Sequence, residues 1–345
     1  MTNPLRKRWS ELDDNMRASG INLSWTGCND FAWNIGGFMA GAQGAIITGP
    51  VKGMVHVPFK GIWHEPAYGP PRFERTVDER REISTRVTLM SDSTYGWFNT
   101  ETKWWDGMNG DVPGFWNIFT RAKGGHYIPM QLLEAVETPL EDDPTAHGNN
   151  LQEWDILLGA DGDPRWQVPD VRPKPWLNRF DRTTTIKRDD GLLAPTITVG
   201  VGTIKVAHRG TRPEWPMITL SAPKSGSTPA RWWISNGSTN QMIRVPPLNK
   251  GEHVLIDTDP SHRIAISALE PADNWVKQII RNAELLKWLF GEYGESGQTI
   301  LERFHGQGFS NPIEPGTVGT ITVFCDMENM QASVRLPQRF ERAIS

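Results

Sequence analysis

The sequence predicts a mainly β protein in two domains, and three observations carry that expectation. Glycine and proline are abundant, 33 and 26 residues among 345, more than long helices tolerate, and both favour short strands joined by turns. Segments with the period-two alternation of half-buried strands recur, the clearest in the first half being Arg81-Glu82-Ile83-Ser84-Thr85-Arg86-Val87-Thr88-Leu89. In the second half, strand-like runs return about every ten residues, the spacing of a β-sandwich or jelly roll. On a soft prior of about 150 residues per domain the chain divides in two, and the boundary is placed near Asn178, separating 1–177 from 178–345.

Taken in order, residues 7–19 carry few apolar positions and read either as a short helix or ordered arm, or as a segment that waits for a neighbour to cover it. From Ile21 to Val57 small residues and glycine separate strand-like pieces such as Ile21-Asn22-Leu23 and Ala45-Ile46-Ile47. The run Thr102 to Trp116 is aromatic, but Gly107, Gly110, Pro113 and Gly114 forbid a long helix, so a helical turn or loop over a small barrel is expected. Gly125 to Val136 and Gln152 to Ala160 read as neighbouring strands around a polar loop at Pro139 to Asn150, and the proline-rich Asp161 to Pro175 as extended chain between domains.

In the second half, strands are expected at Ala194–Val199, Thr203–Val206, Met217–Leu220, Arg231–Ile234, Met242–Val245, His253–Asp257 and Arg263–Ile266. Asn274 to Tyr293 breaks the pattern: Trp275, Ile279, Leu285, Leu286, Leu289 and Phe290 recur at helical spacing, with Gly291 at the end, which predicts one inserted amphipathic helix. Gly319–Phe324 and Ala332–Leu336 supply the last two strands, before a short basic tail from Gln338 to Ser345.

The chemistry of the chain excludes more than it suggests. A formal net charge of −4 with mixed signs offers no electrostatic reason for nucleic-acid backbone or acidic membrane as partner. No stretch of about 18 apolar residues occurs, so the protein is expected to be made and kept in the cytoplasm until it is assembled into something. Cys28 and Cys325, far apart, read as reduced and inert rather than as a disulfide or thiolate site. His56 and His64 are the nearest histidine pair, without metal-ligand spacing. Gly36-Gly37 to Gly44 lacks the lysine and helix context of a phosphate loop, and no nucleophile elbow is present. No catalytic residue, metal or cofactor is therefore expected.

A pattern emerges between His208 and Ile266. His208-Arg209-Gly210-Thr211 with Pro213 and Pro216 precedes a strand, Asn236-Gly237 marks a hairpin turn, and Lys250-Gly251-Glu252-His253-Val254-Leu255-Ile256-Asp257-Thr258 leads to the strand at Arg263–Ile266. With the later loop Pro312-Ile313-Glu314-Pro315-Gly316-Thr317, this order resembles the C-terminal domain of siphophage distal tail proteins, of the kind encoded by actinobacterial phages. The resemblance covers about the last 140 residues by pattern. It implies an N-terminal split β-barrel and a C-terminal galectin-like β-sandwich. Six such chains would form a ring joining the tail tube to the tip hub or baseplate, with a lumen for the tape-measure protein and DNA. The partners implied are other copies of the chain, the tube, hub and tape-measure proteins and receptor-binding proteins, with no sequence-specific nucleic-acid contact and no membrane insertion.

Sixteen tryptophans supply large contact surfaces to cores and interfaces alike. Trp104, Trp105 and Trp116, and the adjacent Trp232 and Trp233, are the candidates for a subunit interface, and on a rival reading for stacking platforms of a carbohydrate-binding or receptor-binding tail-tip subunit.

Overall fold

The structure, a computed structural model, describes residues 20–66, 68–136, 143–145, 150–187, 196–223, 228–262, 265–269, 297–299, 301–304 and 308–344. Of these, 20–168 and 340–344 form one unit and 169–339 a second.

In the first unit, alternation decides which side of each strand is buried. β1 (Ile21–Thr26) and β2 (Ala32–Gly36) pair as a hairpin and turn Leu23, Trp25, Trp33 and Ile35 inward. β3 (Ala45–Ile47) follows, then β4 (Phe59–His64) and β5 (Arg72–Asp78), which pair with each other. β6 (Glu82–Met90) buries Ile83, Val87 and Leu89, the face the alternation predicts. After α1 (Thr94–Asp106) come β7 (Gly114–Thr120), β8 (Gly124–Leu132), β9 (Leu151–Ala160) and β10 (Trp166–Val171), within which the chain passes to the second unit. The antiparallel order is β2-β1-β7-β8-β9-β6-β3. β9 does neighbour β8, but only over Met130–Leu132; its full length lies against β6.

This ladder does not close into a barrel. Its ends, β2 and β3, are joined by the loop 37–44, which occupies the backbone of Asn34: the Gly41 N–H donates to the Asn34 carbonyl at 3.0 Å and the Asn34 N–H donates to Gln43 Oε1 at 2.9 Å. Loop groups thus satisfy part of an edge that a strand would otherwise cover.

The helix α1 corrects the expectation of a turn or loop at Thr102 to Trp116. It starts earlier, where the Ser93 hydroxyl accepts the Gly96 N–H at 3.1 Å as N-cap, and it ends at Gly107, the first of the predicted breakers. Trp97 and Trp104, two turns apart, are its buried face. Trp104 meets Trp33 edge to face at 5.3 Å, in a core that also encloses Trp25, Trp116 and Trp166 completely. The C-terminal tail joins the same unit: Phe340 lies edge-on to His126 at 5.1 Å and Ala343 is buried.

The second unit is built from two antiparallel sheets. One has the order β12 (Thr183–Lys187), β13 (Thr196–Ala207), β20 (Val318–Cys325), β15 (Ala230–Ser235), β16 (Met242–Leu248). The other runs β19 (Gly297–Thr299), β18 (Ala265–Leu269), β17 (Glu252–Asp257), β14 (Met217–Leu220), β21 (Gln331–Phe340), with β11 (Trp176–Leu177) also on β21. Inward side chains of both sheets share one core: Ile204, Trp232, Ile234, Ile321 and Val323 from the first, Ile218, Val254, Ile256 and Val334 from the second. Every strand expected in this half lies on or inside an observed one wherever it is described. The predicted helix at 274–293 lies outside the described residues.

Candidate functional site

The residues that carry the resemblance sit at the joints of the second unit. Asn236 is fully buried at the turn after β15. Its Nδ2 donates to Gln241 Oε1 at 2.9 Å and Ser310 Oγ at 2.8 Å, while its Oδ1 accepts the N–H groups of Ser310 and Asn311. One side chain thus ties the β15–β16 turn to the strand-free segment before β20. Gly237 beside it takes φ +59°, and a Cβ there would lie 2.3 Å from the Asn311 carbonyl oxygen, so both the handedness and the close approach demand glycine.

Glu252, also buried, accepts the backbone and side-chain N–H groups of Asn249 and pairs with Arg303. Asp257 accepts the Asp259 N–H at 3.0 Å, Asp259 accepts the Ser261 N–H at 2.8 Å, and Thr258 Oγ1 donates to the Pro216 carbonyl at 2.7 Å, a turn closed through side chains. His208 meets the proline-glycine loop: its N–H donates to the Thr317 carbonyl, the Gly316 N–H returns to the His208 carbonyl, and Glu214 exchanges two backbone bonds with Ile313. Segments 70 to 110 residues apart in sequence therefore meet at these connections, held by side-chain and backbone hydrogen bonds together.

A buried asparagine outside the motif does similar work. Asn178, at the expected domain boundary, donates Nδ2 to the carbonyls of Cys325 and Met327 and accepts the Phe180 N–H. Burial pushes the neighbouring Cys325 thiol up to about 12, which makes it unreactive. Cys28 is free as well, its Sγ donating to the Asp106 carbonyl.

The candidate tryptophans are mostly interior. Trp104, Trp116 and Trp232 expose no ring face, so neither a sugar nor a second subunit can stack on them in the folded chain. Trp233 is buried as well, and Trp105 is half-buried with its ring edge-on to Trp154 at 5.2 Å. They stand in strands and a helix whose apolar faces meet core, which adjacent tryptophans do not reveal in sequence. His56 and His64 are exposed and, among the described residues, no cluster of three metal-ligating side chains occurs.

The β4–β5 hairpin carries one exposed aromatic surface. Phe59, Trp63, Phe73 and Val77 are 64%, 58%, 54% and 42% exposed, and Trp63 meets Phe73 edge to face at 5.4 Å. In sequence the proline- and glycine-rich Glu65 to Pro71 hides this hairpin. The hairpin stands on a fixed base. Arg81, completely buried, donates to the carbonyls of Gly53 and Met54 where the chain enters, to Pro164, and to Glu341 of the tail, and lies over the Trp166 ring. Burial lowers its pKa to about 10. Arg165 pairs with Asp78 at the end of β5 and with Asp163.

No protein-family model matches the chain, and no curated protein matches it. Solved structures do. The Dit protein of phage SPP1, described as a paradigm of the hub adsorption apparatus in phages infecting Gram-positive bacteria, is 11% identical over 93% of this chain and 99% of its own, with a TM-score of 0.49. Two structures of the phage P2 baseplate in its activated conformation, with Ca and with Sr, each align at 9% identity over 92% of this chain and 98% of theirs, with a TM-score of 0.47.

Proposed function

We propose that this chain is a structural component of a phage tail tip: a distal-tail-type subunit, copies of which close into a ring, six in number, between the tail tube and the tip hub or baseplate. The first unit is the ring-forming split barrel and the second the galectin-like sandwich directed outward. The observation that carries the reading is the convergence of the resemblance residues, His208–Thr211, Asn236-Gly237, Glu252, Asp257-Thr258 and Ile313–Thr317, on the joints of a single two-sheet core. Those polar groups maintain geometry, which is the task of a ring subunit and not of a catalyst. In this role the protein acts by shape, docking neighbours above and below and leaving a lumen for the tape-measure protein and DNA.

Gold-labelled antibody against the chain, applied to virions of the phage that encodes it, tests this directly. The label is expected at the end of the tail distal to the head. Label on the capsid, or virions that lack the protein, would overturn the proposal.

A further inference from the structure

The first unit is built from two stretches of chain that are made far apart in time. Residues 20–168 supply its sheet, and 340–344 join it only after 169–339 has been synthesised, a delay of roughly 10–30 s at ~5–20 residues per second. The late stretch closes part of the core. His126 faces inward from β8 beside Ile128 and Met130 and is 3% exposed, and Phe340 meets its ring edge to face at 5.1 Å. Ala343 is 3% exposed within the same tryptophan-rich core. Before Phe340 and Ala343 arrive, this part of the core is open to water, and the apolar surface they cover contributes nothing to folding.

The next residue in the same stretch is tied to the surface of the unit. Arg81 donates to the Glu341 carbonyl at 3.4 Å with the guanidinium that also donates to the carbonyls of Gly53 and Met54 at 2.8 Å each, where the chain enters the β4–β5 hairpin. One buried cation thus joins residue 341 to the base of the arm that exposes Phe59, Trp63 and Phe73. Contiguous packing and hydrogen bonds of this kind give one segment a physical route to bias another.

We infer that residues 340–344 are a latch, which by docking on β8 and Arg81 completes the first unit and so withholds self-association until the second unit has been made. The inference rests on the ring reading and adds its timing. Such a delay has a physical use. A β-rich unit with an exposed aromatic arm is open to wrong pairing while the rest of its chain is still unfolded, and an incomplete core keeps that arm from engaging other copies early.

The test compares the full chain with one ending at Arg339. The shortened chain is expected to keep the wild-type urea midpoint of the second unit, to be cleaved by trypsin in the first unit at least ~10-fold faster, and to run as a monomer in light scattering after size exclusion. Burial lowers the pKa of His126 to about 4; in the shortened chain its ring, followed by NMR and assigned with His126→Gln, should titrate near the ordinary value of about 6.5. An excess of peptide 338–345 should restore trypsin resistance and wild-type mass, and the same peptide carrying Phe340→Ser and Ala343→Asp should restore neither. Should the shortened chain precipitate, Ala343→Asp in the full chain reads the same contact, because it buries an unpaired carboxylate there, and is expected to weaken association at least ~10-fold with the second unit unchanged. A shortened chain that resists trypsin and associates like the wild type, a His126 that still titrates near 4, or equal loss of structure in both units would overturn the latch and leave the ring standing. A full chain that stays monomeric at every concentration would overturn both.

Discussion

Arg81 ties distant segments of the first unit together. Its guanidinium reaches four backbone carbonyls from segments far apart in the chain, yet no carboxylate pairs with it among the described residues. Arg81→Met keeps the volume and leaves those carbonyls without their donor, so a loss of about 2–4 kcal/mol is expected, read as a lower urea midpoint for the first unit. Its neighbour in the tail contact, His126, sets a pH dependence. Burial, aided by Lys123 and opposed by a bond involving the Gly124 backbone, lowers its pKa from 6.5 to about 4. Between those values the unfolded chain takes up a proton that the folded chain refuses. Stability should therefore fall as pH drops through that window, by up to about 3 kcal/mol, and hold above it. Urea titrations at pH 7 and pH 4 measure the fall; an equal fall in His126→Gln would assign it to other groups.

At the scale of elements, the turn at Asn236-Gly237 shows how far sequence reaches. The dipeptide announces a hairpin, and a hairpin is there. What the letters do not announce is Asn311, whose carbonyl stands where a Cβ at 237 would go. Gly237→Ala should consequently cost at least about 2 kcal/mol, whereas Gly124→Ala, at φ +75° with nothing within 4 Å, should cost about 1. Thermal melts of the two variants compare them. The strands were legible for the same local reason: alternation at Glu82–Met90 or Met217–Leu220 is a property of a few consecutive residues. Helix α1 was not, because its burial rests on two tryptophans, Trp97 and Trp104, and its surface carries Tyr95 and Phe98, which blur the apolar stripe. Nor were the aromatic candidates. Trp104, Trp116 and Trp232 are as consistent with a core as with an interface until pairing order decides which face meets another sheet, whereas Trp63 and Phe73 are exposed on a hairpin that no third strand joins among the described residues.

For the whole molecule the proposed function is assembly. Buried polar groups hold connections in both units, at Arg81 in one and at Asn178 and Asn236 in the other, and the hairpin exposes Phe59, Trp63, Phe73 and Val77. A chain so arranged leaves apolar area to be covered after folding. Deleting the hairpin between Pro58 and Glu79, whose backbone groups already bond across its base, should therefore yield a folded unit that no longer associates, seen as a preserved circular dichroism spectrum with a monomer mass.

The mass of the purified full-length protein across a concentration series, by light scattering after size exclusion, tests the central claim most directly. A closed species of six copies, or a trimer that pairs into one, is expected, with no larger species as concentration rises. A monomer at every concentration, or open-ended growth, would contradict it.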